Sequence, residues 1–366
     1  MDFRVLPAIL DCESLPEFLE KWKVSRQDLI ITNEHIFAPR VKDLQLSCRV
    51  IYQERYGSGE PSDDMVDAML AATEGTDIRR IIAIGGGTVI DIAKLFVFGD
   101  GFSCAELYEK AAELPKKREL IIIPATCGTG SEVTGISIIE FKHKETKLGL
   151  SLPTLFAEEA VLIPSLLDTM PYEVFATSSI DALIHAVESY ISPKATPFSQ
   201  AFSRAAIERI LNGYQKMKGK RELPRDLKEF LISSSMAGIA FGNAGCAAVH
   251  AMSYPLGSNY HVAHGKANYM LFEEVLRAYR RLKADLSPLE KMLYGIFKCP
   301  EDQVWEVMFR LIGEIYDNQA LGILGVDEGK CADMAALVVR TQQRLLANNP
   351  VELSEKAICD IYIRCL

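Results

Sequence analysis

Three of the six histidines in this chain, His250, His261 and His264, fall within Gly245–Gly265, a stretch otherwise made mostly of small and apolar residues. Solubility does not require an imidazole there, so the cluster reads as a site. A fourth, His185, follows Asp181 by four residues in Ser178–Tyr190, a segment that reads as a helix. Residues four apart lie on one helix face, about one turn distant. Asp181 and His185 can therefore offer a carboxylate and an imidazole to one point. With His250 and one more imidazole they supply three nitrogens and an oxygen, a borderline set that suits divalent iron or zinc with a position left open for a substrate oxygen. His261 and His264 compete for the last place, and spacing does not separate them. A cage of carboxylates is absent, so calcium and magnesium fit poorly. Glu188, three residues past His185, shares its face and either orients a ligand or meets solvent. His35 and His143 sit in polar contexts and read as surface residues.

Two glycine-rich turns add a second chemistry. Ile81–Ile84 runs into Gly85-Gly86-Gly87-Thr88 and then into an apolar helix, Val89–Leu95. Glycines at that junction let the backbone approach a phosphate and present free amides at a helix N-terminus. The spacing is not GxGxxG, so it suggests a nucleotide without the standard dinucleotide fingerprint. Asp91 either bonds a ligand or favours the positive end of its helix. Leu120–Pro124 likewise runs into Ala125-Thr126-Cys127-Gly128-Thr129-Gly130-Ser131, hydroxyls and small residues at the carboxyl end of a strand, where open α/β sheets bind ligands. The two turns together would define one crevice.

The elements that must position these groups change character along the chain. Short apolar runs at 28–32, 49–53, 81–84, 120–124 and 161–164 alternate with helical segments, one of which begins after Pro61–Asp64. That alternation predicts a parallel, Rossmann-like sheet. Beyond Pro164–Pro171 only long amphipathic segments follow, among them 177–191, 197–216, 227–241 and 268–283, so the second half reads as all-helical. The expected division is an α/β domain over 1–165 and a helical domain over 166–366. There is no internal repeat.

Composition is consistent with this. At 366 residues the chain exceeds what one core usually supports, and 49% apolar with 24% charged residues describes an ordinary globular protein. A net charge of −9, with no dense Lys/Arg run, argues against nucleic acid or an anionic membrane as partner. The N-terminus lacks the basic and apolar regions of a signal peptide, and nine scattered cysteines without a CxxC pair read as reduced; both suggest the cytoplasm.

Taken in order, Gly85–Lys94, Pro124–Thr134, Asp181–Ser192 and Gly245–Gly265 resemble the signatures of the iron-containing (group III) alcohol dehydrogenases, and the resemblance covers nearly the whole chain. It implies an α/β nucleotide domain, a helical domain, a cleft between them, and usually a homodimer. It implies Asp181, His185, His250 and His264 as metal ligands, with Fe(II) favoured over Zn(II), and NAD as cofactor. Gly86, Gly87, Thr88 and Asp91 would hold the pyrophosphate and nicotinamide region, with Thr126, Thr129 and Lys147 completing the contacts. Three positions depart from the family pattern. Asn33 stands where many members carry an Asp that meets the adenosine ribose, and Glu34 beside it can restore a negative charge. Tyr254, four residues past His250, replaces a frequent histidine. Ala125 replaces a frequent Thr.

Within the family, Glu54–Asp63, Asn259–Val262 and Gln343–Leu346 resemble members that act on 4-hydroxybutyrate and succinate semialdehyde. The implied reaction is hydride transfer between the substrate carbon and nicotinamide, with the metal stabilising the alkoxide. His261 and Tyr254 are the expected proton-handling residues. His261, Tyr254, Asn243 and Lys266 are candidates to receive the substrate carboxylate. A general primary alcohol dehydrogenase is the alternative, and a metal- and nucleotide-binding regulator without turnover is a remote one.

Overall fold

The computed structural model describes residues 3–144 and 146–366. The chain divides into two compact units, Val5–Met170 and Pro171–Leu366, with Phe3 and Arg4 joined to the second.

Among the described residues the first unit holds eight strands: β1 (Ala8–Asp11), β2 (Asp28–Thr32), β3 (Arg49–Tyr52), β4 (Arg80–Gly85), β5 (Glu119–Pro124), β6 (Ile136–Phe141), β7 (Thr146–Ser151) and β8 (Glu159–Leu162). Six of them form one sheet in the order β1-β8-β5-β4-β2-β3, and every pairing in it is parallel. β2 is buried at all five positions, as expected of an apolar run covered on both faces. The helix Gly87–Leu95 packs beneath the sheet through Val89, Ile90, Ile92, Ala93 and Leu95, all in the apolar core.

The five expected strands are present, β8 beginning two residues early. Two features were not foreseen. β1 is a four-residue edge strand, mostly exposed, whose short run carries no periodic signal. β6 and β7 form an antiparallel hairpin between β5 and β8, so the strands of this unit are not all parallel. Ser137, Ile139 and Phe141 of β6 face inward, but Ile136 and Ile138 on the opposite face are also apolar and blur the alternation.

The second unit is helical: among the described residues no strand follows Leu162. Its first long helix, Tyr172–Ile191, is buried without interruption from Ser179 to Ser189, which makes it a core helix. It starts nine residues before Asp181, so Asp181 lies at mid-helix. Beside it run Pro197–Met217, opened by a Thr196–Ser199 capping box, and Leu227–Ala244. Ser192 Oγ donates to Ala244 O at 2.7 Å, tying the two helix ends together where the chain enters Gly245. No single helix among the described residues is long and apolar enough to cross a membrane.

Candidate functional site

Asp181 and His185 lie one turn apart on the central helix, with Asp181 Oδ2 3.8 Å from His185 Nδ1. The helix Ala248–Tyr260 brings His250, whose Nε2 is 3.8 Å from Asp181 Oδ1, and the next helix, His264–Arg281, brings His264, whose Nε2 is 3.9 Å from the same oxygen. Ligand atoms of all four residues lie within 4.8 Å of one another. Geometry thus separates the two competing imidazoles. His264 joins the cluster, whereas His261 is exposed at the left-handed C-cap of the preceding helix, with φ of 55°.

Glycine makes the convergence possible. A Cβ on Gly265 would lie 2.5 Å from Thr177 O and 3.2 Å from Asp181 Cβ, so only glycine lets the His264 helix approach the Asp181 helix this closely. Gly245, at φ of 80°, ends its helix where a side chain would meet Asn348 Nδ2 at 2.3 Å. Asn348 in turn donates to Cys246 O at 2.7 Å and fixes the turn that leads to His250.

Glu188, which the sequence left open between ligand orienter and surface residue, is fully buried. Its carboxylate accepts from Ala247 N at 2.9 Å and Val249 N at 2.7 Å, capping a helix whose own N-cap residue, Ala247, has no side-chain acceptor. It also meets His250 Nδ1 at 2.6 Å. A carboxylate there holds a proton on Nδ1 and turns Nε2 toward Asp181. Nε2 is buried and has no hydrogen-bond partner. Phe241 and His250 both stack on the His185 ring, with centroids 4.4 Å away.

Asn268 was missed by sequence reasoning. It is fully buried, one turn past His264, and its Nδ2 lies 2.7 Å from Asp181 Oδ1 and 3.2 Å from His264 Nε2. The available signal was an amide four residues from a histidine on the face of an otherwise apolar run. Burial alone would raise the Asp181 pKa, but the three imidazoles and the Asn268 amide outweigh it and hold the carboxyl below its usual range. One ionised carboxylate and three imidazoles, with an orphaned nitrogen among them, fit a divalent iron or zinc ion. Cys246 lies beside His250 and Glu188, but burial raises its pKa and keeps the thiol protonated.

The remaining sequence candidates in this unit are scattered. Tyr254 is buried one turn beyond His250, and Lys266 is half-buried in the first turn of the His264 helix. Asn243 is committed elsewhere: its Nδ2 donates to Arg4 O and Ile239 O, and its Oδ1 accepts from Arg4 N at 2.7 Å. With both amide hydrogens occupied, it is removed from the substrate-carboxylate candidates.

In the α/β unit the two glycine-rich turns are neighbours, because β4 and β5 pair in register through Gly85 and Pro124. A Cβ on Gly86 would lie 3.4 Å from Thr126 Cγ2, and one on Gly87 would lie 3.0 Å from Thr129 Cγ2. Gly86 is the N-cap of Gly87–Leu95 and offers no side-chain acceptor, so the amides of the first turn are left to another partner. Thr88 Oγ1 donates to Gly59 O at 3.1 Å. Asp91 is spent on the protein. It accepts from Ser131 Oγ at 2.6 Å and Ile138 N at 3.0 Å, joining the helix to the second turn and to the hairpin. Lys94, with no exposed surface, donates to Ser131 Oγ at 2.6 Å and Ile136 O at 2.5 Å. Lys147, nearly buried on β7, lies 3.7 Å from Glu60. Asn33 follows β2 as the N-cap of the helix Glu34–Val41 and faces Gln53 and Glu54.

A parallel sheet with glycine turns on adjacent strands, and a helical unit with a carboxylate–imidazole cluster, together define a class of two-part, metal-site proteins. Residues 11–164 match the family described as iron-containing alcohol dehydrogenase, and residues 175–366 match its C-terminal counterpart. The chain belongs to the iron-containing alcohol dehydrogenase family. It is 41% identical over 363 residues to the 4-hydroxybutyrate dehydrogenase of Clostridium kluyveri, covering 98% of each chain. It is 34% identical over 319 residues to long-chain-alcohol dehydrogenase 1 of Geobacillus thermodenitrificans, covering 83% of this chain and 79% of that one. Among solved structures it is similar to the iron-containing alcohol dehydrogenase of Thermococcus thioreducens, with a TM-score of 0.83, 27% identity, and coverage of 100% and 99%. The sulfoacetaldehyde reductase of Bifidobacterium kashiwanohense, solved with NAD+, shares the fold with a TM-score of 0.86 at 21% identity, over 100% and 98% of the two chains.

Proposed function

We propose that this chain is an iron-dependent, NAD(H)-dependent dehydrogenase that interconverts 4-hydroxybutyrate and succinate semialdehyde. The observation that carries the chemistry is the convergence of Asp181, His185, His250 and His264, with His250 aimed by Glu188. What supports the substrate is the end-to-end likeness to the Clostridium kluyveri enzyme.

In this reading those four side chains hold the metal. The metal they would hold would supply Lewis acidity toward a substrate oxygen, and a bound dinucleotide would supply or accept the hydride. The residues do the rest. Glu188 fixes the His250 tautomer and supplies negative charge beside the site. Asn268 holds Asp181 in place. Gly86, Gly87 and Thr88 bind the pyrophosphate through backbone amides, and Asp91 and Lys94 brace the loop carrying Thr126 and Thr129. Asn33 and Lys147 complete the cofactor contacts. His261 or Tyr254 takes up the substrate proton, and His261, Tyr254 or Lys266 receives the substrate carboxylate. The α/β unit is the dinucleotide domain and the helical unit the metal and substrate domain of a cytoplasmic homodimer.

The likeness to the Geobacillus enzyme favours a second reading, a general primary alcohol dehydrogenase. NADH oxidation with succinate semialdehyde beside butyraldehyde, followed by absorbance, separates the two. The proposal expects a strong preference for the semialdehyde, and equal or greater turnover of butyraldehyde would contradict it.

A further inference from the structure

Asn33 lies one residue past Thr32, which pairs with Ile84 of β4 on one side and Tyr52 of β3 on the other. It therefore sits at the carboxyl edge of the sheet, between the first glycine of the Gly85–Thr88 turn and the residues Gln53 and Glu54. Neighbouring strands are about 4.8 Å apart. A dinucleotide whose pyrophosphate rests on the glycine turn extends its adenosine ribose over the end of the adjacent strand, where an acidic side chain selects the 2′-hydroxyl. Asn33 brings no charge to that place. Its two amide hydrogens are directed at Gln53 Oε1, 3.3 Å away, and at Glu54 Oε2, 3.0 Å away. The other Glu54 oxygen accepts from Glu34 N at 2.6 Å, at the start of the helix Glu34–Val41.

We propose that Glu54, held by Asn33 and by the Glu34 amide, is the carboxylate that selects NAD(H) over NADP(H) in this chain. The inference rests on the nicotinamide-dinucleotide reading above and names the residue that tunes it. Each Glu54 oxygen still has a lone pair for the ribose 2′-hydroxyl. A 2′-phosphate there would bring about −1.5 to −2 charges against an ionised carboxylate. Burial tends to raise the Glu54 pKa, but the amides of Glu54 and Glu34 and the Asn33 side chain outweigh it and keep it below the usual carboxylate range. Glu34, which the sequence offered as a source of negative charge beside Asn33, is less suited. Its carboxylate pairs with Arg55 at 3.0 Å and has no hydrogen bond from Asn33, while Arg55 also lies over the Tyr52 ring.

The test is calorimetric titration of NADH and of NADPH into the full chain, for wild type, Glu54→Gln, Glu54→Lys and Glu34→Gln. Glu54 is exposed, so these changes leave the core intact. Wild type is expected to bind NADH more tightly. Glu54→Gln should shrink the preference by about tenfold, and Glu54→Lys should shrink it further. Glu34→Gln should shrink it less than Glu54→Gln does, and a larger loss in Glu34→Gln would assign the role to Glu34 instead. An unchanged preference in both Glu54 variants, with NADH still bound, overturns the role of Glu54 alone. Tighter binding of NADPH by wild type overturns it directly. Binding of neither nucleotide by wild type removes the dinucleotide reading as well.

Discussion

His250 is turned by a residue sixty-two positions earlier, and its usefulness depends on that contact. Glu188 accepts three hydrogen bonds from one short stretch, two from backbone amides and one from the imidazole. Charge-assisted bonds of this kind are roughly twice as strong as neutral ones. Glu188→Gln keeps the shape but removes the charge and loosens the tautomer. Affinity for Fe(II) or Zn(II) should fall about 10- to 100-fold in competition with a chelator. An unchanged affinity would show that the carboxylate only caps the helix. Asp181, His185 and His250 were legible as ligand candidates in the sequence, because the first two share a helix face and imidazoles stand out among small apolar residues, while the last place stayed open between His261 and His264. Glu188 and Asn268 were not. Their partners are distant in sequence or belong to a buried network, and neither residue type is informative until the helices are packed.

At the scale of elements, two contacts set the site's precision. The first is the approach of the His264 helix to the Asp181 helix at Gly265. Gly265→Ala would drive a methyl group into the backbone carbonyl of Thr177, so the helices must separate. The expected cost is about 1–3 kcal/mol in denaturant unfolding, with a matching loss of metal occupancy. Wild-type stability and occupancy together would refute the close-approach argument. The second contact is the Lys94 clamp on the loop of the second glycine turn. Burial pulls the Lys94 pKa from its ordinary 10.5 down to about 8, against the pull of Asp91 and Glu132. The folded state therefore holds fewer protons than the unfolded chain between pH 8 and 10.5, and stability from this group rises with pH across that window. Below pH 8 the penalty of the buried ammonium is fully present. The stability of wild type relative to Lys94→Met should thus increase by roughly 1–3 kcal/mol from pH 8 to 10.5, as read from denaturant curves. Parallel pH profiles for the two proteins would contradict this. The hairpin that receives part of this network, β6–β7, was invisible to periodicity because both faces of β6 carry apolar residues.

For the whole molecule, the change from alternating strands and helices to helices alone was legible, since parallel strands buried on both faces leave continuous apolar runs. Short edge strands and long-range polar contacts leave no such trace. The chain carries a glycine-turn sheet and a carboxylate–imidazole cluster, and turnover is expected to depend on the metal which that cluster would hold. The direct measurement is to strip the full chain with a chelator, titrate Fe(II) back anaerobically, and record both bound iron and NADH-dependent reduction of succinate semialdehyde. The account predicts one iron per chain, with turnover rising in proportion to occupancy, and loss of both in Asp181→Ala. Full turnover by the metal-free protein, or iron bound equally well by Asp181→Ala, would contradict it.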